Sequence, residues 1–318
     1  ASGLGPSAGL YGAIFLGFFA AIFGGTATQI SGPTAPITAI STILIAGILQ
    51  ANDGDISRSM PIILAVFIMA GVIQVVIGGM GLGQYIKYIP YPNSGVIGAI
   101  RSLPRALEDI NYTEFVLALL TIIIIFGFKK ITTTIPSTLV ALTLVSGAAM
   151  VIGLEYRPIQ EIPSGFPIFR TDIFSEFQLG SLSPHVFTAI TLAFLGAIDS
   201  LLTSVVADNM TKTSHKPNRE LIGQGIGNTI GALFGGLPGA GATIRTVVNI
   251  NAGGVTKLSG MIAGLFLLVI LLVMGPLASK IPAAVLAGIL ITVGIGVMDY
   301  KGLRAIPSMP YAEVVVMI

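Results

Sequence analysis

The sequence predicts an all-α integral membrane protein whose helices break at two places near mid-membrane. Three observations lead there. The 318 residues are 53 % apolar and only 9 % charged, with a mean hydropathy of +0.92. Soluble domains carry about 25 % charged residues, so this chain cannot cover a surface that faces water. Apolar runs of spanning or near-spanning length recur along it, and two Gly- and Pro-rich stretches interrupt them. One carboxylate, Asp199, sits mid-way along a long apolar helix.

Composition narrows the chemistry. A net charge of +2 implies no nucleic-acid partner; the partner of such a surface is the lipid bilayer. The absence of cysteine excludes disulfides, thiolate metal sites and cysteine nucleophiles. Forty glycines suit close helix packing and broken helices. Trp is absent, so Tyr must supply any aromatic belt. No organic cofactor is called for.

The apolar runs lie at about 8–25, 34–50, 61–80, 113–128, 137–154, 185–206, 221–236, 258–278 and 281–298. A full span needs about 20 residues. Several runs fall short, so tilted or discontinuous helices are expected. Ile97 to Asp109 reads as a short amphipathic interfacial helix with Arg101 and Arg105 in one polar stripe. The Pro-containing, mixed-charge stretch 155–184 reads as an extended polar loop on the outer side. The chain opens on Ala1-Ser2-Gly3 and stops within the apolar run Val314 to Ile318, so further membrane segments are expected at each end.

Basic residues near helix ends set the orientation. Lys129, Lys130, Lys212, Lys216, Arg219, Lys257, Lys301 and Arg304 mark one side as cytoplasmic, opposite Asp53 and Asp55. A multi-pass protein of the cell's inner (plasma) membrane is expected. Parity fails in one place. Lys87 should lie inside, and the helix at 113–128 must start outside to finish at Lys129-Lys130. An odd number of crossings is needed between them, and a spanning helix is therefore expected to be missing between Pro92 and Asn93. A topology outside the positive-inside rule is the alternative.

The first break runs from Gly24 to Pro36 (G-G-T-A-T-Q-I-S-G-P-T-A-P). Gly and Pro forbid a continuous helix there. Pro36 suits an early position of a new helix, where its missing N–H is not needed. The second break, Gly235 to Arg245 (G-G-L-P-G-A-G-A-T-I-R), has the same grammar, with a helix starting near Thr243. By topology the two new helices run in opposite directions, so their N-termini can face each other at mid-membrane. Each stretch alone would read as an ordinary interhelical loop. The opposed pair, together with Asp199, reads instead as two inverted repeats meeting at a binding site, the common construction of secondary transporters.

The electrostatics divide the labour. A helix N-terminus carries about half a positive charge and orphan N–H donors, so it attracts anions. An anion between two such ends would find Thr34 and Thr243 as hydroxyl donors. A carboxylate in lipid costs about 2.5–3.5 kcal/mol on insertion scales, which marks Asp199 as functional. Thr203 lies four residues on and shares its face. A Na⁺ held by Asp199, Thr203 and carbonyls near Gly241 and Thr243 would offset the acid's repulsion of an anion; protonation of Asp199 would serve equally well. Arg245 is a second source of positive field, or else a structural Arg. A helix–helix hydrogen bond is the plain alternative for Asp199.

These residues resemble the SulP family of anion permeases, related in fold to the nucleobase–cation symporters. The motifs are Gln29-Ile-Ser-Gly-Pro-Thr34, Asp199-Ser-Leu-Leu-Thr203-Ser, Gly223-Gln-Gly-Ile-Gly-Asn228, Gly235-Gly-Leu-Pro-Gly-Ala-Gly-Ala-Thr243 and Asn251 to Gly260. The resemblance covers nearly the whole chain. Many relatives carry Glu where Asp199 stands.

The resemblance implies an inverted 7+7 transmembrane repeat (UraA-like) with core and gate domains working as an elevator. It divides the chain into a first-repeat core part (1–87, its first helix missing), a first-repeat gate part (88–154), the outer loop (155–184), a second-repeat core part (185–278) and a truncated gate part (279–318). A cytoplasmic STAS domain would follow. The implied function is sodium-coupled bicarbonate symport. Bicarbonate would lie near Thr34, Ala242 and Thr243, against Asp199 and Thr203. Na⁺, as coupling ion, would lie near Asp199, Thr203, Gly241, Ala242 and Thr243. Arg245 and Ser31 would give electrostatic support, and the full-length protein would form a homodimer.

Proton-coupled sulfate symport is the alternative, with nucleobase symport further off. An enzyme would need a nucleophile–base pair or paired carboxylates at depth. Only Asp199 is expected there, while His185 and His215 read as surface or capping residues. An anion channel fits a single coupling acid poorly.

Overall fold

The computed structural model describes residues 4–86, 111–132, 136–159, 165–175, 179–278 and 280–297. The expectations for an interfacial helix at 97–109 and for a missing helix between Pro92 and Asn93 fall outside these residues.

The chain divides into two compact units, Ala1–Tyr91 with Ile162–Gly275, and Pro92–Glu161 with Pro276–Ile318. In the first unit α1 (Gly5–Phe23) leads through a non-helical stretch to β1 (Ser31–Gly32), α2 (Ala35–Ala51) and α3 (Ile56–Gly79). Later come α6 (Val186–Thr211), α7 (Pro217–Leu233), β2 (Ala240–Gly241), α8 (Thr243–Asn251) and α9 (Lys257–Ala278). The order helix, strand, helix, helix thus occurs twice. In the second unit lie α4 (Tyr112–Phe128), α5 (Ser137–Ile152) and α10 (Ala283–Val297).

Local chemistry sets the helix ends. Pro36 and Pro217 occupy the first turns of α2 and α7. Asp55 caps α3, its Oδ1 accepting from the N–H of Ser57 at 2.8 Å and of Arg58 at 3.3 Å. That cap starts α3 five residues before the apolar run does. α6 ends at Lys212, which takes a left-handed φ of 58°. Just beyond, His215 Nδ1 meets Asp208 Oδ2 at 2.6 Å, so this histidine holds the connection to α7 rather than standing free at the surface.

The stretch read as an extended loop is partly helical. It carries short helical turns at Asp172–Ser175, Leu179–Leu182 and Ser183–His185. Burial of Ile173 in the core of the first unit explains the first of these. Arg170 N–H also donates to the Leu233 carbonyl at 2.9 Å.

In the first unit α7 packs against both α1 and α3. Gly225 permits the approach of α3: a Cβ there would sit 2.5 Å from the Gly71 carbonyl oxygen. Leu16, Ile37, Ile45, Ile48, Leu64, Phe67, Leu201 and Leu221 are fully buried around this seam. Outward-facing Ile43, Val72, Val76, Phe187, Ile262, Phe266 and Val273 are exposed, as an apolar surface facing lipid requires. In the second unit α4, α5 and α10 pack together over Leu117, Val145, Ala149 and Val285.

Gly5–Phe23, Ile56–Gly79 and Ser183–Thr211 are long and apolar enough to cross a membrane. α8, with nine residues, rises only about 13 Å at 1.5 Å per residue, less than half the hydrocarbon core. The two breaks meet: β1 and β2 pair antiparallel, Ser31 opposite Gly241 and Gly32 opposite Ala240. This is the geometry of an inverted repeat crossing itself.

Candidate functional site

Each strand feeds directly into a helix start. Thr34 is the N-cap of α2 and Ala242 the N-cap of α8. Neither helix start has a side-chain cap hydrogen bond, so the first-turn N–H groups stay available to a ligand. α6 passes beside this crossing, in contact with α2, β2 and α8.

The contact face of α6 is a polar stripe. Asp199 and Thr203 lie four apart, as do Ser200 and Ser204, so they form two neighbouring polar rows about 100° apart around the helix. Thr203 is wholly buried. Its Oγ1 donates to the Gly241 carbonyl at 3.0 Å and lies 2.7 Å from Thr243 Oγ1. Having one proton, Thr203 then accepts from Thr243. Gly241 N–H donates to Ser200 Oγ at 3.1 Å, and Ala242 N–H donates to the Ile30 carbonyl at 2.8 Å.

The Asp199 carboxyl and the Thr34 hydroxyl approach each other. Their geometry is not that of a hydrogen bond: Asp199 Oδ2 and Thr34 Oγ1 are both buried without a partner. An acceptor of this kind is expensive to bury unless something occupies its lone pairs. The structure therefore brings Asp199 to the start of α2, and Thr203 to Gly241 and Thr243 at the start of α8. Carboxylate, hydroxyl and carbonyl oxygens are the donor set for a hard cation. Two uncapped helix starts beside them suit an anion.

Ser31 and Arg245 border that cluster but make their side-chain hydrogen bonds elsewhere. Ser31 Oγ accepts from Gln224 Nε2 at 2.6 Å, facing α7. Arg245, two residues past Thr243, donates from Nη2 to the Pro33 carbonyl at 2.9 Å. It borders a mostly apolar cavity of about 240 Å³ between α1, β1, α8 and α9, with Ala13, Gly17, Gly264 and Leu267 in its wall.

Sequence reasoning missed a second buried carboxylate. Glu220, in the first turn of α7, is 1 % exposed, so Asp199 is not the only buried acid. Its Oε2 accepts from the N–H groups of Gly25 and Thr26 at 2.7 and 2.8 Å. Its Oε1 accepts from Gln29 Nε2 and Gln224 Nε2, each at 2.8 Å. Farther along, Asn228 binds Gly239 through both its amide atoms, at 3.0 and 2.8 Å, and Gln74 at 2.8 Å. Glu220, Gln224 and Asn228 recur every four residues, so one face of α7 holds both breaks. That spacing in an otherwise Gly-rich, apolar helix was the available signal.

An inverted-repeat membrane fold with a polar crossing of two broken helices is the architecture of secondary transporters. The chain belongs to the Sulfate permease family, whose profile matches residues 1–94 and 91–318. It is 42 % identical over 339 residues to the bicarbonate transporter BicA of a Picosynechococcus species, an alignment that covers 96 % of this chain and 59 % of that protein. It is 29 % identical to the putative sulfate transporter YbaR of Bacillus subtilis, covering 100 % of this chain and 66 % of that one. The solved transmembrane domain of a cyanobacterial BicA superposes with a TM-score of 0.85 at 37 % identity, over 98 % of this chain and 85 % of that one. SLC26A9 shares the fold, with a TM-score of 0.75 at 18 % identity, over 96 % of this chain and 54 % of that one. The chain thus has the UraA-like inverted-repeat fold with core and gate parts. It spans 59 % and 57 % of the two BicA proteins it matches.

Proposed function

We propose that the chain is the membrane part of a secondary active transporter, a sodium-coupled bicarbonate symporter that works by elevator-type alternating access. The observation that carries this reading is the unpartnered Asp199 Oδ2, buried where α6 passes two uncapped helix starts. Na⁺ sits at Asp199, Thr203 and the Gly241 carbonyl, with Ala242 and Thr243 beside it. Bicarbonate lies between the starts of α2 and α8, at Thr34, Ala242 and Thr243. Each ion offsets the charge that the other meets, so binding of one favours binding of the other. With one Na⁺ and one bicarbonate the transported charge cancels, and the Na⁺ gradient supplies about 1.4 kcal/mol per tenfold ratio. Similarity to the BicA transporters supports the anion.

We also infer that the full-length protein forms a homodimer through its gate part.

The test is uptake of labelled bicarbonate into proteoliposomes of the full-length protein, with and without an inward Na⁺ gradient, sulfate competing. Sodium-stimulated uptake that sulfate does not inhibit is the expected result. Flux that follows pH, ignores Na⁺ and prefers sulfate would establish the second reading, proton-coupled sulfate symport. That reading is favoured by the same orphan oxygen, which can hold a proton, and by the similarity to YbaR.

A further inference from the structure

Glu220 makes four hydrogen bonds and has no cation among those partners. All four partners are N–H donors, so both oxygens must act as acceptors. The nearest cation contacts are made to the backbone instead. Lys257 Nζ donates to the carbonyls of Ile22 and Gly24, and Arg219 Nε to that of Phe23 at 3.2 Å. Carbonyls at the end of α1 are thus taken by cations, and the two N–H groups that follow by a carboxylate.

The consequence runs through Gln29. A carboxylate beside it repels an amide oxygen, so Gln29 must present its Nε2 to Glu220. Its Oε1 therefore points the other way, and Ser204 Oγ donates to it at 2.9 Å. Ser204 lies on the polar stripe of α6, 2.7 Å from Thr26 Oγ1 and 2.9 Å from the Ser200 carbonyl. The Gln29 amide also lies flat against Gly241, where a Cβ would collide with Nε2 and Cδ. Gly241 is held on its N–H by Ser200, and its carbonyl faces Thr203.

We infer that Glu220 is a positioning residue for the cation site. Its carboxylate fixes which end of the Gln29 amide faces α6, and so turns oxygen rather than N–H toward Ser204 and seats the Gly241 carbonyl. This rests on the sodium reading above. Glu220→Gln keeps the shape and can still accept from Gly25 and Thr26. Its new NH₂ group meets the Nε2 of both Gln29 and Gln224, so both amides must turn over, and Ser204 then faces the Gln29 N–H. With its orientation reversed the Gln29 amide no longer packs on Gly241 as it does, so the Gly241 carbonyl is displaced from the cation cradle, while the N–H groups at the helix starts, and with them an anion site, are little changed.

The test uses the purified full-length protein and two readouts, the Na⁺-induced rise in melting temperature and the Na⁺ and bicarbonate constants for uptake. Glu220→Gln is expected to raise the Na⁺ constant about tenfold, the worth of one reversed hydrogen bond, with the bicarbonate constant at saturating Na⁺ within about twofold. The exchange Glu220→Gln with Gln29→Glu puts an oxygen back toward Ser204 and is expected to restore Na⁺ affinity. A merely structural role predicts no such rescue. If Glu220→Gln does not fold, Gln29→Leu, which leaves Glu220 its two backbone donors, carries the same expectation of a weaker Na⁺ constant. A wild-type protein that responds to Na⁺ while these variants keep its Na⁺ constant overturns the inference alone. A wild-type protein indifferent to Na⁺ overturns the sodium reading and this inference with it.

Discussion

Replacing Asp199 by Asn keeps the shape of the side chain and removes one charge. In the structure Asp199 Oδ2 is buried and receives no hydrogen bond, so no donor in the protein satisfies that oxygen. If a bound cation does so, the substitution deletes one partner of a buried ion pair, which costs about 3–5 kcal/mol. At about 1.4 kcal/mol per decade that is roughly two to three and a half orders of magnitude in Na⁺ affinity. Without Na⁺ the sign reverses: wild type must either bury an unpaired charge or take up a proton, and Asp199→Asn does neither. The sodium-free variant should therefore melt no lower than sodium-free wild type. Thermal unfolding of the full-length protein across a NaCl series, with choline chloride holding ionic strength constant, separates the two effects. Wild type should gain stability with Na⁺ and Asp199→Asn should not. A variant that keeps the wild-type Na⁺ midpoint, or that melts markedly lower without Na⁺, would refute the assignment of this acid to the cation.

Other perturbations probe the surrounding parts. Thr203→Val removes the hydroxyl between the Gly241 carbonyl and Thr243, leaving buried groups short of a partner at about 1–3 kcal/mol. Na⁺ titrations of uptake should show the Na⁺ constant rising about tenfold and the bicarbonate constant less; the reverse order would mean the two ion sites are exchanged. Gly241→Ala drives a Cβ into the Gln29 amide and should cost about 1–3 kcal/mol of stability together with Na⁺ affinity, seen as a lower melting temperature and a higher Na⁺ constant. Asp55→Ala removes the cap of α3 and should lower stability by about 1 kcal/mol while leaving both ion constants unchanged, which melting and uptake curves would show together.

The sequence by itself determined the helices and their breaks, because those are local. Apolar runs fix spans; Gly24-Gly25 and Gly235-Gly236 stop helices; Pro36 suits the start of one. Asp199 and Thr203 stand on one face by the helical period alone. The tertiary structure decided what meets what. Strand pairing of Ser31 with Gly241 joins residues more than two hundred positions apart, and no local preference specifies it. Glu220 looks like an exposed first-turn acid, with Lys216 and Arg219 close by in sequence. It is buried because α7 packs its glycine face against α1 and α3, which carries the acid onto the N–H groups of Gly25 and Thr26. Arg245 shows the same limit. Its distance in sequence from Thr243 was legible, but only the pairing of the two breaks directs its guanidinium to the Pro33 carbonyl. Propensity acts over a few residues, whereas a buried charge is placed by whichever distant donors the fold brings to it.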